Sequence, residues 1–190
     1  MMARQPTSGR LIAVVGPSGA GKDTLLAGAL ARRPGFVLAR RVITRPEEAG
    51  AEQFEGVSLV EFEARKARGA FALHWVAHGM SYGIPAGIRA QIAAGQTVLF
   101  NGSRAMLPRA RALFSDLSVI LILADRAALR ARLAARGRES GEDLDRRLAR
   151  ADFAMPGDMP HELIENSGTI EEGVQALVAV LDRLAAAPKG

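Results

Sequence analysis

The chain has 190 residues, a formal net charge of +5 and no cysteine, so its length fits one domain with one sizeable core, and disulfides and thiolate metal sites are excluded. With one Trp and one Tyr, it lacks the aromatic residues of a stacking site for single-stranded nucleic acid. No apolar run reaches the roughly 20 residues of a membrane span, so we expect a cytoplasmic protein without nucleic-acid or membrane partners.

Short apolar runs alternate with helical patterns, which is typical of a parallel sheet with helices on both faces. The predicted strands cover residues 11–16, 36–43, 97–102, 118–124 and 162–166. The predicted helices begin at Asp23, cover about 59–68, 85–94, 126–136 and 170–186, and include one that Ser140 and Asp143 would cap. Residues 44–83 fit short strands and turns better than another helical connection between strands of the main sheet. We therefore expect a single α/β domain over 1–190, with a doubly wound five-stranded sheet and a small insert.

The stretch "GPSGAGK" follows the first predicted strand and precedes the first helix. In this context its backbone N–H groups would wrap a phosphate, the helix N-terminus would favour negative charge, and the lysine would reach the terminal phosphates. The sequence therefore predicts an ATP site, with Mg²⁺, at a phosphate loop that consists of Gly16, Pro17, Ser18, Gly19, Ala20, Gly21 and Lys22.

Asp23 departs from the usual pattern, in which Ser or Thr follows the lysine and its hydroxyl helps to hold Mg²⁺. A carboxylate beside the β- and γ-phosphates would be repelled unless a cation lay between them. Mg²⁺ favours one or two carboxylates together with phosphate oxygens. We therefore expect Asp23 to contact Mg²⁺ directly or through a water, while Thr24 keeps a hydroxyl near the loop.

From this loop onward, over about residues 10–183, the chain resembles the guanylate kinase branch of the nucleotide kinases. The resemblance rests on "GPSGAGK", "VITRPEE", "SYGIP", "RGRESGEDLDRRLARA" and "IENSG". It implies a P-loop kinase fold in which the insert binds substrate and an Arg-rich lid, about 126–150, closes. It also implies phosphoryl transfer from ATP to an acceptor that already bears phosphate, with Arg136 and Arg147 in the lid and Asn166 beside the nucleotide.

Two departures argue against GMP as the acceptor. Leu73 stands where guanylate kinases have a glutamate that reads guanine, and "FNGSR" replaces an acidic strand end. Together "GKD", "VITRP" and "NGSR" resemble the ribose 1,5-bisphosphate phosphokinases of phosphonate catabolism, which make 5-phosphoribosyl 1-diphosphate. The resemblance implies a phosphorylated sugar as partner, with Arg41, Arg45 and Tyr82 at or near the positions that hold the phosphate of the acceptor. Open parallel sheets bind ligands at their strand ends, so we also expect Asn101, Ser103 and Arg104 to face the substrate, and His78 is a further candidate for a hydrogen bond to it.

Other readings of the sequence stay open. A nucleoside monophosphate kinase would share the loop and the lid. A kinase of a sugar hydroxyl would need a base, for which Asp23 is the candidate. A non-catalytic binding module would tend to lose the loop lysine, but Lys22 is present. The sequence is compatible with either a monomer or a homodimer.

Overall fold

The computed structural model describes residues 9–46, 54–135, 155–157 and 159–187. Its strands, in chain order, are β1 (Leu11–Val15), β2 (Phe36–Leu38), β3 (Arg41–Ile43), β4 (Phe54–Gly56), β5 (Phe71–Ala77), β6 (Met80–Pro85), β7 (Thr97–Asn101), β8 (Ser118–Leu123) and β9 (Glu162–Glu165). Its helices are α1 (Lys22–Arg32), α2 (Leu59–Ala67), α3 (Ile88–Ala93), α4 (Leu107–Leu113), α5 (Arg126–Ala135) and α6 (Ile170–Ala186), with a 3-10 turn at Arg104–Met106.

The central sheet has the strand order β2-β7-β1-β8-β9, and all of its neighbouring strands are parallel. β1 lies in the middle, where every residue is buried. Its side chains alternate between two hydrophobic clusters. Ile12 and Val14 pack in the cluster under α1 and α6, whereas Leu11, Ala13 and Val15 pack in the cluster on the other face of the sheet. The predicted doubly wound five-stranded sheet is therefore confirmed.

This topology places the ends of β1 and β7 side by side. The connection after β1 leads to one edge of the sheet, and the connection after β7 leads across to β8 on the other side of β1. In open parallel sheets, ligands bind where the direction of winding reverses in this way, at the carboxyl ends of the strands. The phosphate loop follows β1 at that position, and Asn101 ends β7.

The prediction of one strand over 36–43 is wrong. Residues 36–38 pair with β7 in the central sheet, and Ala39 still donates its N–H to Leu99. Arg40 is exposed and donates from Nη2 to the carbonyl oxygen of Phe54. The chain then continues as β3 in a second sheet of order β4-β3-β6-β5, in which β3 pairs antiparallel with β6. This second sheet contains the predicted insert and begins three residues earlier than expected.

One helix was not predicted, and two predicted elements are not tested by the structure. Helix α4 had no counterpart in the prediction, because its buried residues are only Leu107 and Ala110 and arginines interrupt the apolar pattern. The predicted helix after Ser140, and the lid beyond Ala135, lie outside the described residues. Among the residues that the structure does describe, no helix has the length and hydrophobicity for a membrane span.

Candidate active site

The phosphate loop has the backbone that its glycines predict. Gly16 has φ of 152°, and a Cβ on it would lie 2.1 Å from the carbonyl oxygen of Ile122. Gly21 has φ of 90°, and a Cβ there would lie 2.5 Å from Nδ2 of Asn166. Side chains are disfavoured at such angles and distances. The loop is thus a tight backbone cradle between β1 and α1, as a bound polyphosphate requires.

Lys22 lies over this cradle. Its Nζ donates to the carbonyl oxygens of Gly16 and Pro17, both at 2.9 Å. Lys22 is also the first residue of α1, so the ammonium group and the positive end of the helix act on the same volume. Both features suit the terminal phosphates of a nucleotide, and Lys22 is the residue that would reach them.

Asn166 supports the loop from the end of β9, the edge strand of the central sheet. Its Nδ2 donates to the carbonyl oxygen of Ala20 at 2.7 Å, and the residue is 4% exposed. Arg132 holds the same segment, since its Nη1 donates to the backbone oxygen of Asn166 at 2.8 Å. Sequence reasoning missed this support, although the position of Asn166 just after β9 was a usable signal. The predicted contact between Asn166 and the nucleotide stays a prediction.

Asp23, Asn101 and Arg41 come together beside the loop. Nδ2 of Asn101 donates to Oδ1 of Asp23 at 2.6 Å, and Nη2 of Arg41 lies 3.9 Å from the same oxygen. They line a cavity of about 280 Å³, the Asp23 cavity, whose other lining residues are Leu26, Ala27, Leu30, Leu38 and Ala39. Thr24 is exposed at the start of α1.

The second sheet presents the predicted acceptor residues at different places. Tyr82 stacks on Trp75 with ring centroids 5.3 Å apart, and the Arg41 guanidinium lies 5.9 Å from the Tyr82 ring. Arg45 instead lies 4.3 Å from the ring of Phe54, at a cavity of about 550 Å³ that Thr44, Ser58, Gly79 and Ser81 help to line. The structure thus brings Tyr82 together with Arg41 and leaves Arg45 at a second cavity.

The other residues predicted to contact substrate or to belong to the lid differ in exposure and in location. Ser103 and Arg104 are partly buried just after β7, and burial lowers the pKa of Arg104. His78 is exposed in the turn between β5 and β6, with φ of 52°. The predicted lid residues Arg136 and Arg147 lie outside the described residues.

Leu73 has a structural role. It is 1% exposed, pairs with Ile84 and belongs to a hydrophobic cluster. An apolar side chain in this position offers no acceptor for the N–H groups of a guanine.

Within the part of the chain that the structure covers, no three His, Asp or Glu side chains converge as a metal site. A cation at Asp23 would therefore take most of its other ligands from phosphate oxygens, water and the nearby Thr24 hydroxyl.

Comparisons with known proteins identify the family. No protein-family model matches the chain. It is 47% identical over 178 residues to ribose 1,5-bisphosphate phosphokinase PhnN of Agrobacterium fabrum, covering 92% of this chain and 97% of that protein. It is 46% identical over 181 residues to the PhnN of Rhizobium etli, covering 94% and 92% of the two chains.

Solved structures agree at the level of the fold. The guanylate kinase of Anaplasma phagocytophilum superposes with a TM-score of 0.65 at 17% identity, covering 95% of this chain and 88% of that one. A gluconokinase of Sinorhizobium meliloti gives a TM-score of 0.55, also at 17% identity, and covers 95% of both chains. These likenesses support the P-loop kinase fold, and the curated relatives are the more specific finding. The chain belongs to the ribose 1,5-bisphosphate phosphokinase family.

Proposed function

We propose that the protein transfers the γ-phosphoryl group of ATP to the 1-phosphate of ribose 1,5-bisphosphate, giving 5-phosphoribosyl 1-diphosphate and ADP in phosphonate catabolism. The observation that carries this proposal is the 47% identity, over nearly the whole length of both chains, to the ribose 1,5-bisphosphate phosphokinase PhnN of Agrobacterium fabrum. The site supports it independently, because a P-loop lies beside a cavity that Arg41 lines, and a guanidinium suits a phosphorylated acceptor.

The phosphate loop and Lys22 bind the donor in this mechanism. The loop N–H groups and the ammonium group compensate the charge of the β- and γ-phosphates and hold the γ-phosphorus in line with the acceptor. Mg²⁺, when bound, would neutralise further phosphate charge, and Asp23 and Thr24 are the side chains of this segment that could reach it or its waters. Arg136 and Arg147 would stabilise charge on the transferred group.

The acceptor oxygen requires no general base. An oxygen of the 1-phosphate, already ionised near neutral pH, forms a bond to the γ-phosphorus, and the bond from that phosphorus to the β–γ bridging oxygen breaks. The negative charge moves to ADP, and no proton has to be removed from the nucleophile. The contribution of the protein is therefore alignment and charge compensation.

The acceptor is held by the residues at the carboxyl ends of the strands and on the second sheet. Arg41 and Arg45 supply guanidinium groups, which suit phosphate oxygens because their N–H groups form a planar fork. Asn101 and Tyr82 supply neutral hydrogen-bonding groups suited to a sugar. We assign the same general role to Ser103, Arg104 and His78.

Guanylate kinase activity is the main alternative. It is not favoured, because Leu73 is buried among apolar residues and the end of β7 carries an amide instead of carboxylates. Guanine would then lack the carboxylate acceptors that these two positions supply in guanylate kinases, at a cost of about 1–3 kcal/mol for each N–H group left unpaired.

Product identification tests the proposal. The purified protein is incubated with ATP, Mg²⁺ and ribose 1,5-bisphosphate, and the products are followed by phosphorus NMR. A coupled pair of diphosphate resonances on the sugar is expected, together with ADP. A product with a third separate phosphomonoester would indicate a hydroxyl acceptor and would contradict the proposal.

A further inference from the structure

Asp23 links three separate elements of the structure. It lies in the first turn of α1, Asn101 ends β7, and Arg41 begins β3. Oδ1 of Asp23 accepts the hydrogen bond from Asn101 and is also the oxygen nearest to Arg41. One carboxylate oxygen thus connects helix α1, the central sheet and the second sheet at a single point.

The Arg41 guanidinium is surrounded on several sides. Its side chain is 11% exposed, and its Nη1 donates to the backbone oxygen of Asn101 at 3.3 Å. The Tyr82 ring lies on another side. Burial lowers the pKa of Arg41, and the charge of Asp23 partly counteracts this effect. Asp23 therefore helps to keep a cation in a place where burial alone would disfavour it.

Asn101 is equally constrained. It is 6% exposed, and its Nδ2 is directed to Asp23. The hydrogen bond fixes the amide orientation. The Oδ1 atom of Asn101 is buried and has no hydrogen-bond partner among the described residues, so a sugar hydroxyl would donate to it only after a small local movement that uncovers it.

A direct contact between Asp23 and the acceptor phosphates would be unfavourable. Ribose 1,5-bisphosphate and ATP are both polyanions, and a carboxylate near them is repelled. In the structure the Oδ1 atom of Asp23 is instead directed towards an amide donor and a guanidinium. Any favourable effect of Asp23 on acceptor binding must therefore act through the Asn101 amide and the Arg41 guanidinium.

We propose that Asp23 is a positioning residue, which holds the Arg41 guanidinium and the Asn101 amide ready at the Asp23 cavity for the phosphorylated sugar. The inference rests on the proposed function, and it gives Asp23 a task on the acceptor side of the site. Side chains that are already ordered in the free protein lose less conformational entropy when the ligand binds.

The first test is the affinity for ribose 1,5-bisphosphate, measured by calorimetry in the absence of ATP and Mg²⁺. Asp23→Asn should raise the Kd about tenfold or more, and the charge-retaining Asp23→Glu should recover part of the loss. The matched control is Asp116→Asn, which removes one exposed carboxylate just before β8, at the opposite end of the central sheet. It should leave the Kd within about twofold. Tighter or unchanged binding by Asp23→Asn would show repulsion or no role, and would overturn the inference.

The second test asks whether Asp23 acts through Arg41. In an Arg41→Met background, Asp23→Asn should raise the Kd by a clearly smaller factor than in the wild type, because the cation is already gone and only the hold of Asp23 on the Asn101 amide is left to lose. Equal effects in both backgrounds would overturn the inference, and so would a shifted Mg²⁺ midpoint with an unchanged acceptor Kd. A wild-type protein that fails to bind ribose 1,5-bisphosphate at all would contradict the proposed function itself.

Discussion

The side-chain amide of Asn166 donates a 2.7 Å hydrogen bond to the carbonyl oxygen of Ala20, which lies 146 positions earlier in the chain. Through this bond the end of β9 supports the backbone of the phosphate loop. The bond is buried, so the loss of the amide removes a hydrogen bond that water outside the fold cannot easily replace.

Asn166→Ala should therefore lower both stability and nucleotide affinity. Leaving the Ala20 carbonyl unpaired should cost about 1–3 kcal/mol of the free energy of unfolding. A urea titration measures that loss, and an ATP titration measures the affinity. Gln175→Ala, at an exposed position of α6, is the control and should change stability by less than about 0.5 kcal/mol. Wild-type stability and ATP affinity in Asn166→Ala would contradict this role.

Gly16→Ala should distort the phosphate loop, because the added Cβ would meet the carbonyl oxygen of Ile122 in the neighbouring strand β8. The backbone of a buried strand cannot move away easily, so the phosphate loop itself would have to shift. We therefore expect ATP affinity to fall by at least about tenfold. Gly35→Ala is the matched control, since nothing lies within 4 Å of its added Cβ. If both variants bound ATP equally well, the described loop geometry would not be the one that binds the nucleotide.

The lid prediction concerns catalysis more than binding. Arg136→Ala should lower kcat by about a hundredfold or more, by analogy with arginines that stabilise the charge of a transferring phosphoryl group. Arg130→Ala removes an exposed arginine of α5 and should leave kcat close to the wild-type value. Steady-state kinetics decide the matter: a change confined to the KM for ATP would mean that Arg136 only binds nucleotide.

His74 gives a pH prediction. Its Nε2 lies 3.0 Å from Nη2 of Arg109, which can only donate, so the neutral ring is the acceptor. Burial, with a further contribution from Arg109, lowers the pKa of His74 below its ordinary value of 6.5. The native state thus binds fewer protons than the unfolded state. The contribution of His74 to stability is complete above pH 6.5 and is lost as the pH falls through the lower native pKa.

The Tm of the wild type should accordingly fall more between pH 7.5 and pH 5.5 than the Tm of His74→Gln. His161→Gln, which removes an exposed histidine, should retain the wild-type difference. Scanning calorimetry at the two pH values provides the comparison. Equal Tm differences in the wild type and His74→Gln would show that the contact with Arg109 does not depend on the neutral ring.

The sequence predicted the elements whose signal is local. Buried parallel strands are continuous apolar runs, and the phosphate loop is a contiguous motif, so the central sheet and the position of Lys22 were both found. The break after Leu38 was missed because residues 36–43 are mostly apolar and contain no Gly or Pro to mark a break. Only pairing partners far along the chain decide that β3 joins another sheet.

The candidate site was predicted residue by residue but not as an arrangement. Asp23 and Asn101 lie 78 positions apart, and nothing local to either residue indicates their hydrogen bond. Asp23 was therefore assigned from its neighbour Lys22 to a metal, a prediction that stands beside the acceptor-side role proposed above. The contact of Asn166 with Ala20 joins residues 146 positions apart, and the position of Asn166 just after a strand indicated its place in the sheet but not its partner.

The ratio of kcat/KM for ribose 1,5-bisphosphate to that for GMP tests the central claim most directly, at a fixed saturating concentration of ATP and Mg²⁺. We predict a ratio of at least about a hundred. A buried Leu73 and an amide at the end of β7 leave guanine donors unpaired, and two such groups at about 1–3 kcal/mol each account for that factor. A comparable kcat/KM for the two acceptors would contradict the assignment.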